Sequence, residues 1–335
     1  MSNVTAVLMD DFHIASRNFY PENLSKRPGE EKLTKSGVGK RNTRSFLRWL
    51  LHNPGADIMP ISGWPGIAYY AYNIGTSSYG IKYAGYFCTP HNCSWGIAPI
   101  VTSSSIMTKY RYPSLKIGAD RMPRITYHGD MLLNDTLYYA VQVNTGGNCG
   151  PAGSWQCDAI DSGDQVGMYP DLALTAIFTP LDNPYIAYYD GGNGNLKYAH
   201  FVNTIWPGNC GTGPLLNKWQ CDGIKNTTAS GWLGIDLDAY SDGTRAIVFG
   251  CPDCSGKGIF YTQNVGVGGT NCLDPAWSCE SIQSDPFTMH DLSQFVELDI
   301  SDTNVATVAY YDADGGDVWI GQKNLATYLP FTILK

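Results

Sequence analysis

An apolar-aromatic tetrapeptide recurs five times in this chain at nearly constant spacing. The copies are Ile67–Tyr70, Ile125–His128, Ile186–Tyr189, Ala246–Phe249 and Val308–Tyr311, with starts 58, 61, 60 and 62 residues apart. A period of that length marks a repeat architecture, in which each unit is one supersecondary motif that cannot shelter its own apolar surface. About ten to fifteen residues after each tetrapeptide comes a second strand-like stretch: Ile81–Ala84, Leu137–Ala140, Leu196–Ala199, Ile259–Thr262 and Val318–Gly321. Turn formers such as Asp190–Asn195 and Asp312–Asp317 separate the two, which is a hairpin signal.

Two further stretches complete the unit. Short alternating segments precede each tetrapeptide: Asp57–Ile61, Leu115–Ala119, Leu172–Ala176, Ile235–Ala239 and Val296–Ile300. In four copies a Cys–Trp element follows: Cys93–Trp95, Trp155–Cys157, Trp219–Cys221 and Trp277–Cys279. Each unit therefore supplies four strands. A lone sheet of this kind has two apolar faces, and setting the sheets radially around an axis buries each face on its neighbour. The expected fold class is all-β, a five-bladed β-propeller of four-stranded blades over 55–335, with blades at about 55–110, 111–166, 167–229, 230–285 and 286–335. A linear β-solenoid is the alternative, although its repeats are usually much shorter.

These residues resemble the tyrosine-rich propeller repeats of bacterial and archaeal surface proteins, whose unit reads Y-x-S-L-A-L-D, then P-x-I-S-Y-Y-D, then G-x-L-K-Y-A. The closest copy here is Met168–Leu174, Asn183–Asp190 and Gly194–Ala199. The resemblance implies the propeller and says almost nothing about activity, since function resides in sites grafted onto folds. Copies one, two and four depart from it, with Ala71, Gly129 and Gly250 where the aspartate belongs, and copy five lacks the Cys loop.

Residues 1–54 fall outside the repeat as an N-terminal arm. Val4–Met9 reads as a strand, and 43–53 as a short helix with Asn42 or Thr43 as cap and Pro54 as stop. If Tyr328–Leu334 supplies the outer strand of blade five, the 4–9 strand is free to pair with another subunit. The arm carries nine Lys/Arg against five Asp/Glu, whereas 55–335 carries thirteen against twenty-five. The net charge of −8 argues against a nucleic-acid partner. No apolar run approaches the ~20 residues of a membrane-spanning helix, and the N-terminus lacks the pattern of a signal peptide.

Ten cysteines fall in local pairs: Cys88/Cys93, Cys149/Cys157, Cys210/Cys221, Cys251/Cys254 and Cys272/Cys279. Paired spacing predicts five short-range disulfides and an oxidising, extracellular, cell-surface or virion-surface setting. Sequons at Asn3, Asn23, Asn92, Asn134 and Asn226 agree with an exposed glycoprotein. Cys251–Cys254 lacks the second ligand pair of a zinc site and the βαβ context of a redox motif.

No nucleophile elbow, metalloprotease, phosphate-loop or dinucleotide motif is present, and no cofactor is implied. Calcium is an alternative at Asp312, Asp314 and Asp317, an oxygen-rich turn. Ligand contacts are expected at Tyr70, Tyr189, Asp190, Tyr311 and Asp312, because aromatic faces and carboxylates suit glycans. His128 stands where other copies have Tyr, and packing is its default role. Asp236 and Glu297 lie on the strands next to the axis, with Lys116 and Ala173 read as their counterparts in blades two and three. The leading expectation is a non-enzymatic extracellular or virion-surface structural or recognition protein, partnered by other subunits of the assembly and by glycans. The alternative is a glycoside hydrolase using Asp236 and Glu297.

Overall fold

The computed structural model describes residues 55–334 apart from 60–62, 74–77, 90–91, 104–107, 132–133, 176–182, 203–206, 212–217, 228–233, 252–257, 285–295, 313–316 and 325–331. The 4–9 strand, the 43–53 helix, Asn3 and Asn23 lie outside the described residues.

Among the described residues, twenty strands form five separate four-stranded antiparallel sheets, each in sequence order. Sheet one holds β1 Gly55–Ile58, β2 Pro65–Asn73, β3 Ser78–Thr89 and β4 Asn92–Ser103. Sheet two holds β5 Thr108–Ile117, β6 Pro123–Met131, β7 Asp135–Gln142 and β8 Trp155–Gly163. Sheet three holds β9 Val166–Thr175, β10 Asn183–Asp190, β11 Asn195–Phe201 and β12 Trp219–Asn226. Sheet four holds β13 Ile235–Ala239, β14 Arg245–Cys251, β15 Gly258–Asn264 and β16 Trp277–Ser284. Sheet five holds β17 Val296–Ile300, β18 Val305–Asp312, β19 Asp317–Asn324 and β20 Thr332–Leu334. The strands β5 and β9 begin at Thr108 and Val166, ahead of the unit boundaries placed at 110/111 and 166/167.

Burial follows from sandwiching. Strand β10 is buried along nearly its whole length rather than on alternate residues, as expected for a strand covered on both faces. Ile186 and Tyr188 join a cluster with Leu137, Tyr139 and Ile160 of sheet two. Tyr185 and Ala187, pointing the other way, join Leu237, Ile247 and Phe249 of sheet four. Equivalent clusters join sheets one and two and sheets four and five. The first strand of each sheet packs beside the first strand of the next, β1 on β5, β5 on β9, β9 on β13 and β13 on β17. The result is a propeller-like arrangement.

The facing residues correct the repeat alignment in the fourth unit. Ile247, not Ala246, corresponds to Ile125 and Ile186. It pairs with Leu237 as Ile186 pairs with Leu172 and Ile125 with Leu115, and it turns to the same side. A one-residue slip sends every side chain to the opposite face.

Two sets of ties join neighbouring sheets beyond apolar contact. At the outer rim, the amides of Gly150, Gly211 and Leu273, each one residue past a loop cysteine, donate to the carbonyls of Ile100, Ile160 and Ile224 in the preceding sheet's last strand, at 2.9, 2.7 and 2.7 Å. Beneath each loop a tryptophan meets a tyrosine of the preceding sheet edge-on: Trp155 on Tyr83, Trp219 on Tyr139 and Trp277 on Tyr198, with centroids 5.6, 5.4 and 4.9 Å apart. The loops thus join sheets rather than merely stiffening their own.

The loops are held by disulfides Cys88–Cys93, Cys149–Cys157, Cys210–Cys221 and Cys272–Cys279. Cys251 is also disulfide-bonded, while Cys254 lies outside the described residues. An asparagine before the first loop cysteine clasps the second. Asn148 Oδ1 accepts from Cys157 N at 2.7 Å and its Nδ2 donates to Cys157 O at 2.8 Å; Asn209 does the same for Cys221 at the same distances.

The loops also explain three glycines. A Cβ on Gly147, Gly208 or Gly269 would lie 2.0, 2.0 or 1.9 Å from the carbonyl oxygen of Trp155, Trp219 or Trp277. These are backbone contacts that no side-chain shift relieves. Gly208→Ala is expected to lift the loop and break the Gly211–Ile160 bond, at a cost of about 2–3 kcal/mol. Urea unfolding measures it, and an unchanged midpoint would show that the loop bears no such constraint.

Sheet five departs from this pattern. It has no Cys loop, and in place of one Lys323 reaches sheet four, where it pairs with Glu280 and sits 5.1 Å over the Tyr261 ring. Val318 and Ile320 on its far side are 67% and 41% exposed, although their counterparts Ile259 and Tyr261 in sheet four are buried. Among the described residues no apolar cluster joins sheet five to sheet one.

Candidate functional site

The second set of ties lies at the inner rim and is built from carboxylates. In the first strands of sheets one to four, the residue before the repeat's leucine position (Ala56 in sheet one), or the residue after it, reaches the backbone of the next sheet. Asp57 Oδ2 accepts from Ile117 N at 2.6 Å. Ser114 Oγ accepts from Leu172 N at 3.2 Å and donates to Asp171 Oδ1 at 2.6 Å. Asp171 Oδ2 accepts from Leu237 N at 2.8 Å, Asp236 Oδ2 from Leu298 N at 2.6 Å, and Asp238 Oδ2 from Ile300 N at 2.8 Å. A first strand has an unpaired edge, and buried amides there require acceptors. The neighbouring carboxylates supply them. At the matching position of sheet one, Gly55 has no side chain, and a Cβ there would lie 2.3 Å from Leu115 N.

This register corrects the expected counterparts of Asp236 and Glu297. Ser114 and Asp171 precede Leu115 and Leu172 as Asp236 and Glu297 precede Leu237 and Leu298. Lys116 and Ala173 follow those leucines and correspond to Asp57, Asp238 and Asp299. Aligning the units on that leucine would have found Asp171 from sequence.

The first strands thereby bring charged groups of neighbouring sheets together. Lys116 of sheet two interacts with Asp171, Asp236, Asp238 and Asp57, from three other sheets. Burial alone would push its ammonium down, but these four carboxylates win and the net shift is upward. Asp236 is pushed well above the usual carboxylate range. Burial is the largest cause; the charge of Asp171, a hydrogen bond with its side chain and the charge of Glu297 add to it, and the Leu298 amide opposes. Two neighbouring carboxyl groups resist ionising together, which disfavours the charged form of Asp236. Asp238 is also raised, chiefly by burial, against the amides of Ile300 and Ala239 and the charge of Lys116. Asp236 and Lys116 keep part of their surface open, and Glu297 and Asp299 are exposed.

The other expected site residues lie elsewhere. Tyr70 is half-buried on β2 with its ring 6.0 Å from that of Tyr79. Tyr311 is exposed. Tyr189 and Asp190, expected as ligand contacts, are 1% and 2% exposed. Tyr189 packs with Met168, Tyr169 and Ile235. Asp190 closes its own turn, accepting from Asn193 N at 3.1 Å, and lies 3.5 Å from Lys197 Nζ. Both are packing groups. Asp312 and Asp317 face each other in the β18–β19 backbone register, and Asp314 lies outside the described residues. No group of three or more His, Cys, Asp or Glu among the described residues is arranged to hold a metal ion. Asn92, Asn134 and Asn226 are exposed. Among the described residues no helix is long and apolar enough to cross a membrane.

No family model matches the chain, and no curated protein matches it. Several solved structures resemble it. One is an alpha-L-arabinanase of Penicillium chrysogenum complexed with arabinobiose, 10% identical, with a TM-score of 0.46, covering 83% of this chain and 78% of that one. A second is the GH93 alpha-L-arabinofuranosidase of Fusarium graminearum, 13% identical, with a TM-score of 0.45, covering 82% and 77%. A third, described with the GH130 mannoside phosphorylases and glycoside hydrolases, is 11% identical, with a TM-score of 0.38, covering 84% and 86%. The likeness is one of layout alone.

The expectation of a non-enzymatic structural or virion protein is corrected here. The three solved structures named above are carbohydrate-active enzymes, a likeness that extends to layout only. Within the chain itself, the first strands carry a carboxyl, Asp236, that is pushed well above the usual carboxylate range by burial and by Asp171, rather than a wholly solvated lining.

Proposed function

We propose that the chain is a glycoside hydrolase acting at the axis of a five-bladed propeller whose seam lies between sheets five and one. The observation that carries this reading is the pairing of unlike carboxyls on the first strands of neighbouring sheets: Asp236 on β13 accepts from Leu298 N at 2.6 Å and is pushed well above the usual carboxylate range, chiefly by burial, while Glu297 on β17 is open to solvent. Glycosidic cleavage needs two carboxyl groups in opposite states. Asp236 would give its proton to the departing glycosidic oxygen as the C–O bond breaks. The Glu297 carboxylate would act on the sugar carbon or on the attacking water. Asp171 would keep Asp236 protonated by its negative charge, and Lys116 would offset the excess acid on the axis. The disulfides fit an oxidising, extracellular setting.

The test is release of reducing ends by the full chain from neutral polysaccharides: arabinan, xylan, glucan and mannan. Hydrolysis of at least one is expected, with Glu297→Gln lowering kcat by roughly 10²–10⁴-fold. If none is cleaved, or if Glu297→Gln cleaves as fast as the parent, the reading fails.

A further inference from the structure

Two tyrosines near the axial carboxylates are held in a conformation that the fold does not require. Tyr112 and Tyr169 have φ of 52° and 50°, which for a bulky residue is a true outlier. Both precede proline, Pro113 and Pro170, where the backbone is normally driven to extended values. Each sits in a break of the strand register: the pairing skips from Arg111 to Ser114 in β5, and it shifts between Ala187 and Tyr189 opposite β9. The corresponding residue of sheet four is Gly234, and the β13–β14 pairing runs without a shift. Strain of this kind persists where surrounding structure over-determines it, and it gathers at ligand sites.

The two bulges bring the rings together across sheets two and three, with centroids 4.5 Å apart and both side chains half-buried. Behind them lies His128, its ring stacked 6.1 Å from that of Tyr112. It is buried, and neither ring nitrogen has a hydrogen-bond partner; Nε2 lies 3.4 Å from Asp135 Oδ2. Arg111 borders the pair, and its charge is balanced by Asp130 at 3.1 Å. Tyr169 and Asp171 are two residues apart on β9, so the ring pair and the carboxyl pair share one strand.

We propose that Tyr112 and Tyr169 form a stacking platform for a neutral saccharide, which places the adjoining linkage at the Asp171–Asp236 pair; this rests on the glycosidase reading. The C–H face of a sugar ring covers an aromatic ring while its hydroxyls stay hydrated. The charge of Arg111 at the platform's edge is paired with Asp130 at 3.1 Å, which favours a neutral sugar over an acidic one.

Calorimetric titration of the full chain with short neutral arabino-, xylo-, gluco- and manno-oligosaccharides tests the platform. Tyr112→Gly and Tyr169→Gly suit the positive φ, so they remove the rings without adding backbone strain. At least one oligosaccharide is expected to bind the parent, with affinity falling at least about tenfold in each glycine variant and staying within about threefold in Tyr112→Phe and Tyr169→Phe. If a glycine variant does not fold, the ring resonances of isotope-labelled tyrosines in the parent decide: those of Tyr112 and Tyr169 must shift on titration. Absence of binding to the parent, or unchanged affinity in folded glycine variants, overturns the platform. Binding that depends on the tyrosines without any hydrolysis would keep the platform and remove the hydrolase. Hydrolysis with an unchanged KM in the glycine variants would do the reverse.

Discussion

Trp219→Ala is expected to cost about 3–5 kcal/mol, the usual range for emptying a fully buried aromatic site. Trp219 is wholly buried among Leu137, Tyr139, Ile160 and Ile186 and meets Tyr139 and Phe201 edge-on at 5.4 and 5.6 Å. Its backbone also closes the loop, through Cys210 N to Trp219 O at 3.0 Å. The site cannot collapse cheaply. The Cys210–Cys221 bridge and the Gly211–Ile160 bond hold the loop in place while the void opens. A domain stable by ~5–15 kcal/mol would lose a large fraction of that margin. Equilibrium urea unfolding followed by tryptophan emission gives the number. A loss below about 1 kcal/mol would mean that the sheet two–sheet three contact is not built on this residue. Trp219→Phe retains part of the ring and should cost visibly less.

Asp236→Asn should separate stability from chemistry. Asparagine copies the shape of a protonated carboxyl but has no proton to give. If Asp236 is the acid, hydrolysis falls by roughly 10²–10⁴-fold. The effect on stability has the opposite sign. The folded state raises the pKa of Asp236 above its unfolded value. Above the unfolded pKa the unfolded chain has given up its proton while the folded chain still binds one. Stability therefore falls as pH rises, until the folded group ionises as well. The variant lacks this penalty. Its stability at neutral pH should equal or exceed that of the parent, and its pH dependence should be flatter over the interval above the normal carboxylate range. Thermal midpoints at several pH values measure this. A variant that is less stable at neutral pH and keeps its activity would show that the carboxylate form serves only as a cap for Leu298 N.

The correction in unit four shows how far sequence pattern reaches. Residues Ala246–Phe249 are apolar throughout, so alternation cannot tell which of Ala246 and Ile247 faces sheet three. Only the pairing of Ile247 with Leu237 fixes the face. A separate, two-residue offset in the first strands, which set Lys116 and Ala173 against Asp236 instead of Asp238, hid Asp171, which lies inside a stretch already recognised as part of the repeat. Its partner Asp236 is 65 positions away, and no local pattern connects them. The asparagine clasps at Asn148 and Asn209 were legible in principle, since both stand immediately before the first cysteine of a loop. Tyr189 was misjudged as a ligand contact for a simple reason: an aromatic residue at a strand end reads alike whether it faces solvent or the next sheet.

Period, strand number and the pairing of neighbouring cysteines were determined by the sequence itself, because each is a local matter of spacing and alternation within one unit. The tertiary structure alone decided which face of each strand meets which neighbour, and hence which acids come together and push the Asp236 carboxyl upward. Charges carried by strands some sixty residues apart interact only once the sheets have packed in a definite register, and that register is set by the fit of side chains across the faces rather than by any one segment.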